Sequence, residues 1–195
     1  MTRALTIATA LLLAAVVAMG AYLYYLRRNE QARARDLPDT RPISAPVVGP
    51  ASPVTLYLAY DDPGVLRPQQ VSIPLPADPA QRGREILHAL VGEYVKRPSS
   101  HELGAGADVK DVFLVNGNTA VVDTTPAFAE EHPSGILVET LTVASLVKTL
   151  TANLSGVTRV KILVDGEERE TLAGHADLED FYDVTAVEQM LQQLQ

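Results

Sequence analysis

SGILVETLTVASLVKTLTANLSGVTRVKILVDG, residues 134–166, is the stretch whose reading decides the fold. Ile136, Leu137, Val138, Leu141, Val143, Ala144, Leu146, Val147, Leu150 and Leu154 cover most of the circumference of a predicted helix over 134–154. A helix that is apolar all round lies in a core or in a membrane. Glu139 and Lys148 argue for the core, because charges inside a membrane span are costly. Ser134 is placed to cap this helix and Gly156 to end it. The hydrophobic period then changes from 3.6 to 2. Over 157–164, Val160, Ile162 and Val164 are expected to face the core, and Arg159 and Lys161 the solvent, as in a half-buried strand. Asp165-Gly166 is a two-residue reversal. Glu167 to Leu172 is expected to return as a charged edge strand, of the kind that deters edge-to-edge association.

The pattern extends upstream. Val54, Leu56, Leu58 and Tyr60 alternate along one strand, and Val71, Ile73 and Leu75 along a second, around the turn Asp61-Asp62-Pro63-Gly64. Asp78-Pro79, with Gln81 three residues after the cap, opens a helix. Its apolar stripe is Ile86, Leu87, Leu90, Val91, Tyr94 and Val95, and Lys96, Arg97 and Pro98 close it. Val109–Val115 and Thr119–Asp123 flank Asn116-Gly117-Asn118, a hairpin signal, because Asn and Gly tolerate positive φ. Thr125-Pro126 begins a short helical turn. Val184, Val187, Met190, Leu191 and Leu194 make the seam of a short amphipathic helix over 184–195. The fold class read from this order is α+β: two main helices packed on a mixed, largely antiparallel sheet of about six strands, with an N-terminal transmembrane helix.

That transmembrane helix is ALTIATALLLAAVVAMGAYLYYL, Ala4 to Leu26, which is uncharged and long enough to span a bilayer. Tyr22, Tyr24 and Tyr25 suit the interface at its end, followed by Arg27 and Arg28. A cleavable signal peptide is the rival reading, with Ala18 and Gly20 small at the peptidase spacing. Three of the 16 basic residues, Arg3, Arg27 and Arg28, flank this segment, and all 24 acids follow it. The rest of the chain therefore has 13 basic residues against 24 acidic ones, a formal charge of −11. That charge disfavours nucleic acid and anionic membrane surfaces as partners. With no cysteine, disulfides, thiolate metal sites and a lipid-modified cysteine are excluded. The organisation read from these shifts is a membrane anchor over 1–28, a Pro-rich linker over 29–52, one globular domain over 53–183 and a C-terminal amphipathic helix or tail over 184–195.

VKILVDGEERETLAGHADL, Val160 to Leu178, resembles the closing signature of the GerMN domain, named from a spore germination protein. The strand Val54–Tyr60 with its Asp-rich turn, the stretch VFLVNGNTAVVDTTPAFA from Val112 to Ala129, and the long helix before Gly156 are similar to the domain in the same order. The resemblance covers Pro53 to Asp183. It implies an exported domain held at the outer face of a membrane by a lipid or a helix, a fold similar to ring-building modules of secretion systems, and no established enzymatic activity. In spore formers one such protein supports a cell-envelope assembly. This chain departs from the lipoprotein members in lacking an anchoring cysteine, and it carries one copy where some members have two. The basic flanks taken alone would keep the C-terminal side cytoplasmic. The resemblance implies the opposite, a single-pass protein of the bacterial cytoplasmic membrane with its globular domain extracytoplasmic.

The side chains that could carry chemistry are few. His175, two residues before Asp177, could be an oriented base, but no nucleophile is identifiable near it, and Gly174 reads as a tight turn tying the last strand to the tail. His101-Glu102 lacks the second histidine that a zinc-protease helix requires, since the place is taken by Ala105. His88 and His132 read as surface residues. Asp61-Asp62 reads as turn chemistry and Asp108/Asp111 as a solvent-facing strand rather than as paired carboxylates for hydrolysis or Ca²⁺. Thr124-Thr125-Pro126 reads as a helix cap. No catalytic, cofactor-binding or metal-binding residue is assigned and no cofactor is expected. The expected function is a non-enzymatic protein-interaction or assembly component of the cell envelope, with another envelope protein or further copies of the chain as partner. A peptidoglycan or glycan binder is the alternative, weakened by the absence of Trp, and an envelope hydrolase comes third.

Overall fold

The structure, a computed structural model, describes Met19, Tyr22 and residues 49–193. The expected membrane anchor and nearly all of the linker lie outside the described residues. Among the described residues no helix is long and apolar enough to cross a membrane.

The elements run β1 (Ala51–Tyr60), β2 (Val65–Pro74), α1 (Pro79–Val95), β3 (Val109–Val115), β4 (Thr119–Thr124), α2 (Pro126–Glu130), α3 (Ile136–Asn153), β5 (Arg159–Val164), β6 (Tyr182–Asp183) and α4 (Val184–Gln193). The class is α+β, but the six strands form two sheets rather than one. β1 and β2 make an antiparallel pair, and β3-β4-β5-β6 make a mixed sheet whose β4–β5 step is parallel. A parallel step needs a long crossover, which α2 and α3 supply.

The split has a local cause. β1 pairs with β2 along one edge, and helix side chains take the place of a strand along the other. The N–H of Thr55 donates to Asn153 Oδ1 at 2.9 Å, that of Tyr57 to Thr149 Oγ1 at 2.9 Å, and that of Ala59 to the Tyr94 hydroxyl at 2.9 Å. Asn153 Nδ2 returns a bond to the Thr55 carbonyl at 2.8 Å. Because the N–H of Tyr57 points away from β2, its partner Pro68 sits where a β2 N–H would face the open edge. Pro74 holds the same parity. Two of the donors that a further strand would need are therefore missing.

The core lies between α1 and α3 and the inner faces of both sheets. Val112, Ala120, Val122, Val160 and Ile162 meet Leu87, Leu90, Leu146 and Leu150, all buried. Gly83 in α1 is a close approach: a Cβ there would lie 3.0 Å from Leu154 Cδ1 and 3.2 Å from Val112 Cγ1. α4 packs on α3 through Val187, which is fully buried. Asn116 and Gly117 adopt positive φ in the β3–β4 turn, and Asp165 and Gly166 do so after β5, as their residue types require.

Several local expectations are corrected. Glu167–Leu172 forms no strand: only isolated bridges join Val164 to Glu167 and Thr171 to Asp177, and β6 takes the sheet edge instead. The returning segment folds over the outer face of the sheet and buries Lys161, which is 4% exposed. Lys161 Nζ donates to the Glu179 carbonyl and lies 3.3 Å from Glu168 Oε1. Ser134 does not cap α3. The cap position is Gly135, and the Ser134 hydroxyl donates to the Ala173 carbonyl at 2.9 Å. Thr125 holds the α2 cap position, but its hydroxyl donates to the Gly106 carbonyl.

Candidate functional site

α3 buries Glu139, Thr140, Thr142, Ser145 and Thr149 among its apolar side chains, and buried polar groups require partners. Two centres, at Glu139 and Thr142, gather three of the four histidines together with Asp61.

Glu139 is fully buried in the first turn of α3. Its Oε1 accepts the Gly135 N–H at 3.0 Å and the His175 Nδ1 proton at 2.8 Å. Its Oε2 accepts the N–H groups of Ala173, His175 and Ala176 at 3.0, 2.9 and 2.9 Å. Gly174 stands in the middle of this wrap at φ +117, a conformation glycine adopts without strain. Burial alone would push the carboxyl pKa up. The bonds from Ala176, Gly135 and the His175 ring and backbone outweigh it and hold the pKa at about 2. His175 does have an acid partner, but the acid is Glu139 rather than Asp177. Its ring is 41% exposed at the surface, not sunk in a cleft.

One turn along, the Thr142 hydroxyl lies 2.7 Å from His101 Nε2 and 2.7 Å from His132 Nε2. His101 Nδ1 meets Asp61 Oδ1 at 2.6 Å, and His132 Nδ1 meets the Pro133 carbonyl at 2.7 Å. The cluster thus joins the turn after β1, the loop after α1, the α2–α3 loop and α3 itself. The surface position expected for His132 is corrected: it is 7% exposed, and burial lowers its pKa. Asp61, expected as turn chemistry, also anchors a buried imidazole. Tyr94 packs edge-on against His101 with ring centroids 4.6 Å apart, and burial pushes its hydroxyl up to about 12.

Asp61–His101–Thr142 has the order of an acid–base–hydroxyl triad. It lacks access: His101 and Thr142 are each 1% exposed, and a second imidazole occupies the far side of the hydroxyl. The arrangement binds chain segments together, and its imidazole and hydroxyl are closed off from solvent.

The other candidates separate. His88 is exposed on α1 and pairs with Asp108 at 2.7 Å. Asp108 and Asp111 each accept the N–H of the following residue, Val109 at 2.7 Å and Val112 at 2.9 Å, while Arg84 Nε donates to the Lys110 carbonyl at 2.8 Å. These contacts blunt the open side of β3 much as the prolines blunt β2. Glu102 lies 3.5 Å from Arg97. Thr124 donates to the Leu163 carbonyl. Among the described residues no three His, Asp or Glu side chains are grouped to hold a metal ion. A shallow, open depression of about 190 Å³ lies between Tyr60, Tyr94 and Pro98–Ser100.

Sequence reasoning missed Glu139 and Thr142 as centres. The signal was present: Glu139 and Thr142 stand among the apolar residues of a helix that is buried nearly all round, and a buried carboxylate has to be satisfied by donors.

Comparison with known proteins supplies the relatives. The family described as Germane, sporulation and spore germination, matches residues 55–170. The tandem GerMN domains of the sporulation protein GerM from Bacillus subtilis match with a TM-score of 0.51 at 20% identity, over 68% of this chain and 46% of that one. This chain therefore spans less than half of the tandem structure. The first GerMN domain of the same protein matches at 21% identity and a TM-score of 0.49, over 69% of this chain and 98% of that one. No curated protein matches.

Proposed function

We infer that this chain, which belongs to the Germane family of sporulation and spore germination proteins, works as a non-enzymatic interaction module of the cell envelope. Its GerMN-like domain is held at the outer face of the cytoplasmic membrane by the N-terminal apolar segment, and it engages another envelope protein or further copies of itself. The observation that carries this reading is the use of the polar groups around α3. The acid–imidazole pairs there close on backbone and on one another, with Glu139, His101 and Thr142 shut away from solvent.

The contact surface we assign is the outer side of the β3–β4 hairpin and its neighbourhood. Phe113 is 50% exposed, with Leu114 and Val115 beside it. Phe181 is also exposed, on the segment covering the same sheet, and carries Arg159 over its ring at 4.5 Å. Exposed apolar groups of this kind mark interaction sites.

A photo-reactive residue at position 113, expressed in intact membranes, is expected to give one defined adduct, whereas the same residue at position 70 on β2 gives none. Monomer alone at both positions counts against the reading. Retention on purified cell wall without a protein adduct would transfer it to the glycan alternative. A topology reporter fused after Gln195 tests the compartment.

A further inference from the structure

We propose that Asn116-Gly117, at the tip of the β3–β4 hairpin, is a site of spontaneous covalent modification: the folded chain loses ammonia from the Asn116 side chain and converts to aspartyl and isoaspartyl forms, with water as the co-reactant. The inference rests on a contrast between two turns of the same backbone type. Asn116 and Gly117 have φ of 53 and 75, and Asp165 and Gly166 have φ of 55 and 77. Both pairs are exposed. A Cβ built on either glycine would meet no heavy atom within 4 Å, so neither main-chain nitrogen is screened by a neighbouring side chain.

Hydrogen bonding separates the two turns. The Gly166 N–H donates to Asp123 Oδ1 at 2.7 Å, and the Asp165 carboxylate takes Lys110 Nζ at 2.7 Å. The Asp165 N–H is held by the Thr124 carbonyl at 2.9 Å, and Val164 and Glu167 exchange main-chain bonds at 3.0 and 3.1 Å across the base of that turn. In the other turn, neither the Gly117 N–H nor the Asn116 side chain has a hydrogen-bond partner among the described residues. The tip is anchored behind the reacting pair, where the Asn118 carbonyl accepts the N–H groups of Thr158 and Arg159 at 2.8 and 3.1 Å.

The chemistry needs a main-chain nitrogen and a side-chain carbonyl carbon that are both free to meet. The Gly117 nitrogen attacks Asn116 Cγ. The new C–N bond forms as the Cγ–Nδ2 bond breaks, and ammonia leaves with the proton of the Gly117 amide. The product is an uncharged five-membered succinimide. Water then adds to one of its two carbonyls. Opening at Cγ restores the original main chain with an aspartyl side chain at 116. Opening at the main-chain carbonyl leaves the chain running through Cγ, an isoaspartyl linkage one carbon longer. At Asp165-Gly166 each of the two reacting groups is instead held on another partner. Either product brings a negative charge to a hairpin that has none, since Val112 to Val122 contains no ionisable side chain. The isoaspartyl form also lengthens the loop between paired Val115 and Thr119, beside the exposed Phe113 and Leu114.

The test is peptide mapping by mass spectrometry of the full chain in detergent micelles, incubated in its native state and, separately, unfolded in guanidinium. In the native chain, loss of the amide at Asn116 is expected to run more than about tenfold faster than at Asn118 or Asn153, a barrier difference of about 1.4 kcal/mol. It should be faster at alkaline than at neutral pH, because the attacking nitrogen must shed its proton. Asp165→Asn gives both turns the same residue pair while leaving the Gly166 N–H on Asp123. In that variant the amide at 116 should still be lost more than about tenfold faster than the one at 165 in the native state, and the two rates should converge in guanidinium. Equal native rates at 116 and 165 overturn the proposal. So does a wild-type Asn116 amide that persists in the native chain over a period in which the unfolded chain loses it, and that comparison needs no variant.

Discussion

Glu139 and Thr142 lie one turn apart on the same helix, and both hold distant loops to it, but the partners they use differ in kind. Glu139 is an acceptor surrounded by five donors, four of them main-chain N–H groups that cannot titrate. Thr142 is one hydroxyl between two imidazoles, side chains whose ring nitrogens can gain or lose a proton. The first centre behaves as a permanent negative charge, whereas in the second burial lowers the pKa of His132. The comparison teaches that burying an ionisable group does not by itself make a switch: what matters is whether its partners can change their own protonation.

The largest expected effect comes from emptying the first centre. Glu139→Ala orphans several buried N–H groups, and we expect a loss of about 4 kcal/mol in urea unfolding. A loss below about 1 kcal/mol would mean that the loop 173–176 is held by something else. Next is Thr142→Val, which keeps the shape and removes the shared hydroxyl, leaving two imidazole nitrogens unpaired. The expected loss is about 3 kcal/mol by the same measurement.

Acid titration separates the two centres further. The folded carboxyl at about 2 lies below its ordinary 4.5, so as pH falls the unfolded chain binds the proton first. That stabilisation is complete above pH 4.5 and disappears as pH falls towards 2. The lowered pKa of His132 acts in the same direction but earlier, with stability beginning to fall below 6.5. Glu139→Ala should therefore lose the lower limb of the acid-unfolding curve and keep the upper one. The smallest expected effect is that of His175→Ala, which removes one donor of five at a ring 41% exposed. We expect about 0.5 kcal/mol after solvent screening, with no change in any envelope phenotype. A phenotype at His175 without loss of stability would reopen the hydrolase reading.

The contrast also explains how much was legible beforehand. The helix over 134–154, the strand after Gly156 and the hairpin at Asn116-Gly117 follow from period and turn chemistry, which are local properties. The charged run Glu167–Glu170 also reads locally as an edge strand, but β5 finds its antiparallel neighbour in Tyr182–Asp183. The run instead closes over Lys161, a long-range event that no window of sequence contains. His101 meets Thr142 across 41 residues and His175 meets Glu139 across 36. Spacing rules for motifs search within a few residues, so both centres escaped them, and only the unexplained polarity of α3 pointed to them. The sheet split was hidden for the same reason, since Asn153 and Thr149 take the place of a strand partner 98 and 92 residues away.

Amide hydrogen exchange at Ala173, His175 and Ala176 in the full chain tests most directly whether α3's buried polar groups serve to hold loops. The account predicts that these three loop amides exchange as slowly as the core of α3 at Leu146 and Val147, and that Glu139→Ala releases them. Exchange in the wild type at the rate of the exposed amides of Glu168 and Arg169 would contradict it.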